Sequence, residues 1–125
     1  MDLIARLESA AEGSRELDAE IWACLQGCTS PLEYEQVDHG GPAREAVICG
    51  SLAAWLDEIP HYTTSLDAAL TLVPEGKAWD CGYYPGYDNT GHAEVFLGSG
   101  DPAFRAPAKT PALALCIASL RARGG

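Results

Sequence analysis

Positive charge is scarce in this chain, which has eight Lys and Arg against eighteen Asp and Glu in 125 residues, a formal net charge of −10. A surface so short of cations has no basic stripe with which to follow a phosphate backbone, so direct nucleic-acid binding ranks last among the function classes. Long apolar runs are missing too: none approaches the ~20 residues that a membrane-spanning helix needs, so no membrane role is expected. The opening stretch MDLIARLESAAEG carries acids and an amphipathic period where a signal peptide would have a basic start and an unbroken apolar segment. A cytoplasmic protein is the expectation. The three histidines, His39, His61 and His92, are scattered. The run GSGD at 98–101 lacks the spacing of a nucleophile elbow, and no glycine-rich run both follows a strand and opens a helix as a phosphate-binding loop does. On these grounds no catalytic residue, cofactor or metal is assigned.

What is present fits one domain spanning residues 1–125, because a chain of this length with 47% hydrophobic residues can bury a single core. The five cysteines, at 24, 28, 49, 81 and 116, are odd in number. Together with a cytoplasmic setting, this predicts reduced thiols and no disulfide, with Cys24, Cys28 and Cys116 packing as small hydrophobes in the core. Cys24 and Cys28 stand one helical turn apart, the spacing of half a metal site, but no second pair completes it.

Apolar spacing predicts a short first helix within 2–11 through Leu3, Ile4 and Leu7, broken by Gly13. Ser14 then caps a second helix with Leu17, Ile21, Cys24, Leu25 and Cys28 on one stripe. Residues 29–43 read as loop with one edge strand near Tyr34 to Val37, and Ala46 to Cys49 read as a strand followed by a turn or short helix before Pro60. Thr64 or Ser65 caps a third helix, with Leu66, Ala69, Leu70 and Val73 on its stripe and Pro74 and Gly76 at its end. Period-two alternation marks two strands, one with Trp79, Cys81 and Tyr83 on a face, the other with Ala93, Val95 and Leu97, joined by the hairpin loop PGYDNTG. A further short strand is expected near Phe104. Thr110 and Pro111 open a last helix whose stripe is Leu113, Cys116, Ile117 and Leu120.

Three segments, SRELDAEIWACL (14–25), YTTSLDAALTLVPEGKAW (62–79) and KTPALALCIASLRAR (109–123), together resemble a family of small uncharacterised phage and prophage proteins, the phage ABA sandwich domain family. The resemblance covers about 45 residues, in order and at compatible spacing. It implies a single-domain α-β-α sandwich of the α+β class: one small, mostly antiparallel sheet of three or four strands with helices packed on it, and helical N- and C-termini. It brings no catalytic residues. Residues 29–61 match least.

Charge supplies the functional expectation. Residues 1–60 hold twelve acids against three bases, a balance of −9, which favours a basic protein partner over a phosphate backbone. The chain is therefore read as a non-enzymatic accessory protein that works by protein–protein contact through an acidic surface, in its sharper form an inhibitor of a host factor. Glu12, Glu16 and Glu20 are its candidate contact residues. Tyr84 and Tyr87 of the hairpin loop join them, since exposed tyrosine is a rigid amphipathic contact group. The competing expectation is a small hydrolase or metal-dependent enzyme built on His92, Asp88, Glu94 and Asp80, because an imidazole with carboxylates can act as a general base or hold a metal. A third, nucleic-acid binding, draws only on the helix, strands, helix order of residues 61–125, which loosely resembles a double-stranded-RNA-binding module; those residues hold six acids and five bases.

Overall fold

The computed structural model describes residues 2–38, 40–83, 91–96 and 103–123, with the backbone alone at 83, 96 and 103–105. Every α-helix in it begins on a side-chain cap. Asp2 accepts from the Ala5 N–H at 2.8 Å and opens α1 (Leu3–Ser9); Ser14 accepts from Leu17 at 3.1 Å and opens α2 (Arg15–Leu25). Ser65 accepts from Ala68 at 3.3 Å for α3 (Leu66–Leu70), and Thr110 from Leu113 at 3.2 Å, with Pro111 at the first helical position, for α4 (Pro111–Ala122). Each cap satisfies one of the amide groups that a helix start leaves without a partner. The helix ends are equally local. Gly27, at φ 73°, closes α2 with Gly27 N–H to Cys24 C=O and Cys28 N–H to Ala23 C=O, both 3.0 Å, the paired bonds of a Schellman stop.

The α+β class with helical termini holds, and the strands divide into two sheets where the sequence suggested one. β1 (Leu32–Val37), β2 (Arg44–Cys49) and β3 (Leu52–Trp55) form an antiparallel meander in order β1-β2-β3. β4 (Ala78–Tyr83), β5 (Gly91–Phe96) and β6 (Ala103–Ala108) form a second, in order β4-β5-β6. β3 was expected as a turn or short helix; LAAW is too short and too small in its side chains to show an alternation, and its pairing with β2 decides the outcome. A 3-10 turn (Leu56–Glu58) follows it.

The core is built on α4. Residues 112–120 are all buried, as an Ala-rich helical run without charge on any face must be to stay folded in water. One side of it lies on β5 and β6, whose inward residues Ala93, Val95, Ala106 and Ala108 are small or β-branched and let the helix sit close; α1 and α3 cover other sides. A Cβ added at Gly91 would stand 2.3 Å from the Thr110 carbonyl carbon, so glycine is required where β5 passes the start of α4. Val47 carries the first sheet into the same core cluster.

Several expected placements change. Cys24 is exposed and Leu25 is 36% exposed, because α2 buries Leu17, Asp18, Ala19, Ile21 and Ala23, a face rotated from the expected stripe. α3 is a single short turn in which Ala69 is buried and Leu66 is exposed, while Leu72, past its end, is buried. Trp79 shares the inward face of its sheet with Cys81, but β4 is an edge strand and the indole is 45% exposed. Cys28 is not a reduced core thiol. The Schellman stop ends α2 three residues before it and carries it to the end of β2, where it is bonded to Cys49 across a Cα–Cα distance of 6.4 Å.

Candidate functional site

A concavity of about 750 Å³ lies between α1, α2 and the inner face of β1. Its position follows from strand alternation: Leu32 and Tyr34 point to the helix side of the sheet, Glu33 and Glu35 to the other. α1 contributes Asp2, Leu3 and Arg6; α2 contributes Glu16, Glu20 and Cys24; the loop after α2 closes one end with Cys28 to Pro31. Three carboxylates against one guanidinium give the groove a negative balance.

Two of the candidate contact acids, Glu16 and Glu20, are thus brought to one groove. Glu16 is exposed in the first turn of α2, where the helix dipole favours an acid. Glu20 is half-buried and paired with Arg6 of α1, so it joins two helices as well as lining the groove. Glu12 lies elsewhere, exposed beside Gly13, Thr63 and Thr110. Tyr84 and Tyr87 lie outside the described residues.

Tyr34 was not singled out from the sequence, although the pattern Leu32, Tyr34, Gln36 on one face of LEYEQV was the available signal. Its ring is 41% exposed over the groove. Burial of its phenol raises its pKa, the charges of Glu16 and Glu45 add to this, and Arg6 opposes it. The hydroxyl therefore stays protonated at neutral pH, able to donate and to accept. Apolar Leu3 and Leu32, a neutral phenol and carboxylates form a lining suited to an aliphatic stem with a cationic end.

The competing constellation sits on the outer face of the second sheet. Asp80 stands opposite Glu94, which stands opposite Arg105, and His92 is on the same face between Gly82 and Pro107. Asp80 is exposed, while Glu94 and His92 are partly covered; Asp88 lies outside the described residues. Among the described residues no group of three or more His, Cys, Asp or Glu side chains is arranged to hold a metal ion, and no helix is long and apolar enough to cross a membrane. Comparison of the chain with protein-family models, with curated proteins and with solved structures finds no match.

Proposed function

We propose that this protein is a non-enzymatic accessory protein of phage or prophage origin, acting in the cytoplasm by binding a basic protein through the acidic groove between α1, α2 and β1. The groove carries the proposal: Glu16, Glu20 and Asp2 surround a concavity with apolar walls and a protonated Tyr34, a shape and charge that suit an inserted Lys or Arg side chain. Phage origin rests on the three sequence segments alone. In its sharper form the protein is an inhibitor, its carboxylates occupying a host factor's phosphate-binding surface.

The test begins with capture of a partner at low salt and continues with association and dissociation rates. Rim charge acts over a screening length of about 8 Å at physiological ionic strength, so association slows as salt rises. Glu12→Lys and Glu16→Lys both slow association, and Glu16→Lys also speeds dissociation because its side chain lines the groove. Glu20→Gln replaces a reversal there, since Lys at 20 would face Arg6. A partner whose rates ignore salt and all three substitutions refutes the groove. The His92, Glu94 and Asp80 face favours a small hydrolase as the second reading; loss of a turnover activity in His92→Ala would put it first.

A further inference from the structure

The five cysteines divide by reach. Cys116 is fully buried and Cys81 partly so, whereas Cys24, one of the three free thiols, is exposed. Cys24 and Cys28 line the same groove, four positions apart across the Schellman stop that ends α2. Cys49, bonded to Cys28, is 1% exposed, so no dissolved oxidant can reach its sulfur. Its Sγ lies 3.3 Å from the Ser30 carbonyl oxygen, which is placed to accept the S–H proton whenever Cys49 is a thiol. Among the described residues, the sulfur that links buried Cys49 toward solvent is its partner Cys28, which is half-buried at the groove.

We propose that Cys24 is the entry thiol for a reversible Cys28–Cys49 disulfide, taking an oxidising equivalent from a low-molecular-weight disulfide such as oxidised glutathione and passing it inward. In the first step the Cys24 thiolate attacks the small disulfide, forms a mixed disulfide and releases one small thiolate. The Cys28 thiolate then attacks Cys24 Sγ, forms a Cys24–Cys28 bond and releases the second small thiolate. Finally the Cys49 thiolate attacks Cys28 Sγ, forms Cys28–Cys49 and returns Cys24 to thiolate. Two protein thiols lose two electrons and two protons, and one small disulfide becomes two small thiols. Loop closure favours the last step, because the final bond spans 21 residues and fixes β2 to the end of α2, whereas its precursor spans one helical turn and restrains little. This inference stands independently of the contact function.

The full chain is reduced without denaturant, freed of reductant and exposed to oxidised glutathione at about pH 8, where thiolate is available. Samples are quenched in acid, alkylated and mapped as non-reduced peptides. Glutathione on Cys24 should precede Cys28–Cys49 in the wild type. Cys24→Ser should slow Cys28–Cys49 formation by about ten-fold or more with the same end product, Cys81→Ser should leave the rate unchanged, and Cys49→Ser should accumulate Cys24–Cys28. Wild-type rate in Cys24→Ser, or glutathione on Cys28 before Cys24 in the wild type, overturns the proposal. The wild-type order and the Cys24→Ser rate decide the matter even if Cys49→Ser fails to fold, since Cys24 is exposed.

Discussion

Asp18 offers the sharpest test of how the N-terminal half is held together. Its carboxylate is fully buried and accepts from the Thr63 N–H at 2.8 Å, the Thr63 hydroxyl at 2.7 Å and Arg15 Nη1 at 2.7 Å. Arg15 also donates to the carbonyls of Leu56, Ile59 and Pro60, so the pair ties α2 to the 3-10 turn and the segment after it. Asp18→Ala leaves the buried Thr63 N–H without its acceptor and takes the charged partner from Arg15, while the Thr63 hydroxyl keeps the Ser14 carbonyl oxygen at 3.1 Å. Breaking a buried pair from one side costs about 3–5 kcal/mol, a large share of the roughly 5–15 kcal/mol that holds a domain folded. For a chain of this size that is a fall of roughly 10–20 °C in Tm. Thr63→Val keeps the shape and removes a hydroxyl that donates to Asp18 and accepts from the Ser14 N–H at 3.0 Å, so it should cost about 2–4.5 kcal/mol, a charged and a neutral hydrogen bond together. The double variant should cost less than the sum of the two, because both delete the same contact. Equilibrium urea unfolding monitored by tryptophan fluorescence measures all three. A loss under about 1 kcal/mol for Asp18→Ala, or strict additivity in the cycle, would mean that water reaches the carboxylate and that the network is not what joins α2 to residues 56–63.

Ile117→Ala, at a fully buried site in the middle of α4, should cost about 2–5 kcal/mol, whereas Leu66→Ala, 39% exposed on α3, should stay within about 1 kcal/mol; similar losses at both sites would show α3 or α4 to be wrongly faced. Burial pushes the Cys116 thiol up to about 12 from 9.0, with the Asp18 charge adding to it. Below 9.0 both folded and unfolded thiols are protonated and the site is neutral to stability; between 9.0 and about 12 the unfolded chain ionises while the folded one does not. Stability therefore falls across that alkaline window, by an order of about 4 kcal/mol at its end. Cys116→Ala should flatten this part of the pH profile, and an unchanged profile would count against it.

The boundaries that depend on a few neighbouring residues were legible. Ser14 and Thr110 with Pro111 are local capping events, Ser65 was one of two caps the sequence offered for α3, and the alternation through Cys81 and through Ala93 and Val95 needs only a window of six residues. The misses are non-local. Nothing near Asp18 announces Thr63, 45 positions away, and an acid on a helix is ordinarily solvated. Placing Cys28 on the α2 stripe assumed that the helix ran on; Gly27 was the available warning, and the partner at Cys49 depends on how β2 docks. Expecting α4 to show one buried stripe understated ALALCIASL, a run with no charged residue on any side, which marks a helix surrounded by protein. For the groove, the two acids on α2 were visible, but its opposite wall, Tyr34 on β1, is set by tertiary packing.

The few cations in the acidic half have structural partners, and this explains how a net charge of −10 can coexist with a folded chain. Arg6 reaches Glu20 between α1 and α2, Arg15 reaches Asp18, and Arg44 holds Asp57 at 2.6 Å and lies 4.3 Å over the Trp55 ring. Arg121, from the far end of the chain, meets Glu8 of α1 at 3.0 Å. Each pairing places a base at a junction between elements, where neutralising an acid also fixes geometry. The consequence is an uneven surface. Glu12, Glu16, Glu33 and Glu35 stand exposed and take no part in those ion pairs, and like charges left in water are screened by salt and cost little. Bringing a cationic protein against them therefore gains attraction without dismantling a structural ion pair, whereas a partner that had to displace Arg6 from Glu20 would loosen α1 from α2. Glu16 rather than Glu20 is accordingly where association is most readily changed without changing the fold.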